Sequence, residues 1–219
     1  MAEKYGTIPP RFTGAWFEYV WTYYKWHILI PVFAIIFAAV TIAQCATRPK
    51  YDLTITYAGH MIYSDNEIAA LNELLLPEVE DIDGNGEPAL FIQQLSFSDQ
   101  MGNEEFDYAM QTKLDVQLGE EDSYLFLYDE TELEMMINRE ASDEIYVSVS
   151  EWGENIPADK IYEKDGYQYA VNLNDSKILK DNGIYCEDLY AVIRHNYSEN
   201  EKSVNAAANA VRLANILAQ

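Results

Sequence analysis

Hydrophobic and polar positions divide the chain into two regimes. Between Lys25 and Arg48 lie 22 residues without a formal charge, Trp26 to Thr47, and the stretch Ile28 to Val40 is apolar throughout. At about 1.5 Å per residue such a helix crosses the roughly 30 Å hydrocarbon core of a bilayer. Beyond Lys50 the apolar positions become periodic. Tyr51 to Tyr57 alternates in the manner of a strand, and Gly59 ends it. Ser64 and Glu67 form a capping box ahead of Ile68, Leu71, Leu74 and Leu75, a helix stopped near Pro77. Leu90 to Phe97 reads as a second strand. Residues 104–118 return to helical spacing through Phe106, Met110 and Leu114. Ser123 to Tyr128 is nearly all apolar, as in a strand covered on both faces, and Thr131 to Asn138 reads as a short helix.

This β-α-β-α-β-α order predicts a largely parallel sheet with right-handed crossovers. The second half reads differently. Ile145 to Val149 is strand-like, and Ile161 to Val171 reads as a hairpin turning at Asp165-Gly166. A short helix over Ser176–Lys180, a strand over Leu189–Arg194 and a long final helix capped by Ser198 and Glu201 complete the expectation. No internal repeat of 20–50 residues is present.

The segment before the apolar run carries Trp16, Phe17, Tyr19, Trp21, Tyr23, Tyr24 and Trp26, the mixture that settles at a membrane–water interface, so residues 13–25 are expected there. About 25 aromatic-rich residues precede the run, which differs from the short basic start of a cleaved signal peptide. Pro31 would remove a helical hydrogen bond to the His27 carbonyl and marks a kink or restart. Lys4, Arg11 and Lys25 on one side face Arg48 and Lys50 on the other, a slight positive-inside bias. The expected organisation is a cytoplasmic segment over 1–25, a membrane helix over 26–47, a linker over 48–50 and an extracytoplasmic domain over 51–219.

Charge sharpens this picture. The chain is −23 overall, but residues 51–219 hold nine Lys/Arg against 35 Asp/Glu, or −26. Such a field repels phosphates, which excludes nucleic acid as a partner and favours cations or basic partners. Two cysteines, Cys45 and Cys186, make neither a disulfide framework nor a zinc site.

Two constellations carry candidate chemistry. Asp81, Asp83, Asn85 and Glu87 place oxygen side chains at alternate positions around Gly84 and Gly86, like the start of a calcium-binding EF-hand loop. The twelfth position, where that loop needs a bidentate glutamate, is Ile92. The segment is therefore either a solvated acidic turn or a weak Ca2+ site completed elsewhere; no other cofactor is expected. At the carboxyl ends of the first and third strands, Tyr57, His60, Tyr63 and Asp129 are placed to share a ligand crevice, the alternative being ordinary strand-end surface residues. No Gly-x-Ser-x-Gly, phosphate-binding glycine loop or His-Glu-x-x-His motif occurs, and the chain is read as a non-enzyme.

The run Trp21 to Ile28 at the membrane entry resembles the entry of single-pass membrane proteins from clostridia and related Firmicutes, whose extracytoplasmic part is similar to type 2 periplasmic solute-binding domains. Supporting matches are the turn over 81–86, the strand Tyr124–Tyr128 followed by Asp129, and Asn172–Leu179 leading to Leu189–Ile193. The resemblance implies one transmembrane helix followed by a mostly parallel α/β domain, a reduced type 2 periplasmic-binding-protein fold, on the outer face of the cell. It brings no catalytic residues. The expected partners are the bilayer, through 26–47, and a membrane protein of which this chain is an accessory subunit. A tethered small-molecule sensor or solute-binding protein is the alternative.

Overall fold

A computed structural model describes residues 9–46, 50–98, 103–120, 123–153 and 156–219. The chain divides into two compact units, Met1–Pro49 and Lys50–Gln219. Most of the linker expected at 48–50 lies outside the described residues.

The first unit is built on one helix, α1 (Gly14–Ala46), of 33 residues. At the helical rise it measures about 50 Å, and it is long and apolar enough to cross a membrane. The helix continues through Pro31 without a restart, and the aromatic stretch belongs to it. Thr13 Oγ1 accepts from the Trp16 amide at its start. The Thr41 hydroxyl donates to the Phe37 carbonyl at 2.8 Å, so this side chain satisfies its hydrogen bond within the helix. Ile30, Phe33, Ile35, Phe37 and Ile42 are all exposed.

The second unit is an α/β layer structure. Its elements are β1 (Leu53–Gly59), α2 (Asp65–Leu75), β2 (Leu90–Ser96), α3 (Glu104–Gln117), β3 (Ser123–Asp129), α4 (Glu130–Ile137), α5 (Ser142–Ile145), β4 (Ile161–Lys164), β5 (Tyr167–Asn172), α6 (Lys177–Asp181), β6 (Leu189–Ile193) and α7 (Glu201–Leu217). The six strands form one sheet in the order β2-β1-β3-β6-β5-β4. The β1–β2 and β1–β3 pairs are parallel, whereas β3–β6, β6–β5 and β5–β4 are antiparallel. The sheet is therefore mixed, and the expectation of a mostly parallel sheet is corrected. Helical crossovers join the first three strands in parallel. The two-residue turn at Asp165 and Gly166, both with positive φ (52° and 81°), then reverses the chain.

Each face of the sheet has its own apolar cluster. Leu53, Ile55, Leu125, Leu127, Ala191 and Ile193 point to one face, where α7 adds Ala206, Ala210, Leu213, Ala214 and Leu217 at helical spacing. Phe126, Tyr128, Tyr190 and Val192 point to the other, against Leu114 of α3 and Leu133, Met136 and Ile137 of α4. Every residue of β1 is buried, as befits a strand covered on both sides.

Two further expectations are corrected. Ile145–Val149 does not form a strand: Ser142–Ile145 is helical, and the segment pairs with the end of β6 through one isolated bridge, Tyr146 to Arg194, beside which the Val147 amide donates to the Ile193 carbonyl. The final helix is capped by Asn200, whose side chain accepts from the Lys202 amide at 3.1 Å; Ser198 Oγ instead accepts from the Asn200 amide. The Ser64–Glu67 capping box of α2 is present in both directions.

Candidate functional site

The loops leaving β1 and β3 meet at the carboxyl edge of the parallel strands. Asp129 closes β3 and caps α4, its Oδ1 accepting from the Glu132 amide at 2.8 Å. Its Oδ2 accepts from the His60 amide and lies against His60 Nδ1, both at 2.7 Å. One carboxylate thus fixes a helix start, the turn after β1 and an imidazole. Gly59 permits this approach, because a Cβ there would sit 2.5 Å from the Tyr57 hydroxyl and 2.8 Å from Asp129 Oδ2.

Tyr57 is buried, and its hydroxyl accepts from the Met61 amide at 3.0 Å. Burial, followed by the Asp129 charge, pushes its pKa upward, so it remains a neutral phenol. Tyr63 packs edge-on against it with centroids 4.9 Å apart, and donates from its hydroxyl to the Tyr185 carbonyl. Burial raises its pKa as well. Tyr57, His60, Tyr63 and Asp129 therefore lie together, as their positions at strand ends suggest.

The open space beside them is lined by a different set. A cleft of about 480 Å³ is bounded by His60, Ile62, Ser96, Phe97, Ser98, Asn103 and Phe106. Of the four expected residues, only His60 lines it. Asp129 holds His60 in that wall, while Tyr57 and Tyr63 pack against each other outside the lining.

Glu132, on the first turn of α4, escaped the sequence reading. It is only 2% exposed, and its Oε2 has no hydrogen-bond partner among the described residues. Burial pushes its pKa up to about 7, the Asp129 charge adds to the rise, and His60 opposes it. The available signal was Asp129-Glu130-Thr131-Glu132, which has the spacing of a cap and its third helical residue, a position where glutamate ordinarily stays in solvent. The cluster thus combines a held imidazole, a buried and a half-buried phenol and a carboxyl that changes charge near neutrality.

The acidic turn is separately organised. Asp81 accepts from the amides of Gly84 and Gly86, Asp83 from Asn85, and Asn85 from Glu87. These backbone hydrogen bonds, led by that of Gly86, lower the Asp81 pKa. Buried Asp52 joins this turn: its Oδ1 accepts from Ile82 and Asp83 and its Oδ2 from Ala89. Asp52, Asp81 and Asp83 offer carboxylate oxygens within 4.8 Å of one another, a set of hard oxygen donors compatible with a calcium ion. Glu87 is not part of that group, and Ile92 is a buried residue of β2. Asp52 could not be assigned from sequence because only the pairing of β1 with β2 brings it to this turn.

Comparison of the chain with protein-family models, with curated proteins and with solved structures finds no match.

Proposed function

We propose that this protein is a membrane-anchored extracytoplasmic binding or interaction module, an accessory subunit of a membrane complex, whose α/β domain is a reduced relative of the type 2 periplasmic-binding fold. The observation that carries this reading is the contrast between the two units. The apolar side chains of α1 are uncovered, whereas both apolar clusters of the second unit are composed entirely of its own residues. An uncovered helix of that length needs lipid or a membrane protein, and a domain with its own core needs neither. The acidic surface favours a basic partner. Protease added outside intact cells should digest residues 51–219 and spare the N-terminal tail, and the detergent-solubilised full chain should retain specific membrane proteins. Protection of the domain would reverse the orientation, and purification without partners would remove the interaction reading.

The second reading, a tethered solute sensor, is supported by the cleft beside His60. It lies where ligands bind in open α/β sheets, outside the carboxyl ends of parallel strands.

A further inference from the structure

The two outer edges of the sheet are built differently. β4 is short, carries Glu163 and Lys164, and has a register irregularity at Tyr162/Glu163, all of which discourage further strand pairing. β2 has seven residues, Leu90-Phe-Ile-Gln-Gln-Leu-Ser96, with no charge, no proline and an unbroken register against β1. In a chain with 37 carboxylates, an uncharged edge strand lacks the usual protection against pairing.

The register identifies which backbone groups face outward. Leu53 N–H donates to the Ala89 carbonyl and Phe97 N–H donates to the Gly59 carbonyl, so the odd-numbered residues of β2 serve β1. The even-numbered residues point their N–H and C=O groups away from β1. Asn72 of α2 takes the Leu90 carbonyl. The outward groups of Ile92, Gln94 and Ser96 have no partner among the described residues.

The flanks select the occupant. α2 and α3 pack beside β2. α2 bears Asp65, Glu67 and Glu73 with no basic residue, and α3 bears Glu104, Glu105, Asp107 and Asp115 against Lys113. A second copy would bring identical acidic helices against these, each on a domain of charge −26. A basic strand would relieve the repulsion. We propose that the outer edge of β2 is a strand-addition site that receives an extended, lysine- or arginine-bearing segment of a partner protein. This proposal rests on the interaction-module reading and names the chemistry of the partner.

The test uses the full chain in detergent micelles and an acetylated peptide of about ten residues alternating valine and lysine, with the valine–glutamate peptide as control. Residue-resolved amide exchange should slow by about tenfold or more at Ile92, Gln94 and Ser96 with the lysine peptide, and stay unchanged at Phe91, Gln93 and Leu95. Gln94→Pro removes one outward N–H and none of the bonds to β1, and should weaken binding by about tenfold. Because Gln94 also accepts from the Tyr63 amide, a second variant is needed that leaves this contact intact. Asp65→Lys/Glu73→Lys changes only exposed positions of α2 and should weaken the lysine peptide severalfold while strengthening the glutamate peptide.

Equal binding of both peptides, or slowed exchange confined to other segments, would overturn the proposal. So would concentration-dependent protection of the even-numbered amides without peptide, which would assign the edge to a second copy. If membrane partners co-purify equally well with Gln94→Pro, the edge assignment falls and the interaction module stands. If no partner co-purifies although the lysine peptide pairs with β2, the reverse holds.

Discussion

Replacing Glu132 with glutamine should stabilise the folded domain above neutral pH and leave it nearly unchanged near pH 5. The carboxyl is 2% exposed, with one oxygen unpartnered among the described residues, and its pKa rises from 4.5 to about 7. At about 1.4 kcal/mol per tenfold change in proton affinity, this corresponds to about 3 kcal/mol against the ionised form. Because the effective dielectric at buried protein sites exceeds that of dry protein, the figure is reduced to about 2 kcal/mol.

The sign follows from proton counting. Between pH 4.5 and about 7 the folded state retains a proton that the unfolded state has released, so stability falls as pH rises through this window. The loss is complete above the folded pKa. Glutamine is neutral throughout, so the variant should lack this pH dependence and gain about 2 kcal/mol over the parent at about pH 8.5 relative to about pH 5. Urea unfolding of the Lys50–Gln219 unit at the two pH values measures the difference, and the packing cost of the amide cancels because it is common to both. A variant that loses stability relative to the parent on going to high pH would refute the reasoning, since the ionised carboxylate would then be the favoured form.

Three other outcomes are expected. Gly59→Ala forces a Cβ to 2.5 Å from the Tyr57 hydroxyl and should cost about 1–3 kcal/mol, with altered chemical shifts at His60; unchanged stability would mean that the strand ends part freely. Millimolar calcium should bind weakly and be lost in Asp81→Ala/Asp83→Ala, and a calorimetric titration without heat would leave only a solvated turn. A thermal-shift screen of amino acids, sugars, peptides and metal ions on the same unit should show no large stabilisation, since a ligand at about 100 times its dissociation constant adds roughly 2.7 kcal/mol. A shift of several degrees with one solute class, abolished by substituting Tyr57, His60 or Asp129, would favour the sensor reading.

The sequence by itself determined what depends on neighbours along the chain. The apolar run became α1, the Ser64–Glu67 box started α2, Asp165-Gly166 turned the hairpin, and the apolar period of the last segment became the buried face of α7. These signals act within a few residues, where helical or extended geometry fixes which groups meet. The same locality explains why Tyr57, His60 and Asp129 could be placed at strand ends from pattern alone. Tertiary structure decided the rest. That β6 runs antiparallel beside β3, that Ile145–Val149 reaches the sheet through one bridge, and that Asp52 joins the acidic turn all depend on which strands pair. Strand pairing is a long-range choice that no local period encodes. The rise in Glu132 pKa is chiefly tertiary as well: its position on the first turn of α4 predicts a solvated glutamate, and only packing removed its water, whereas the Asp129 charge that adds to the rise is a neighbour along the chain.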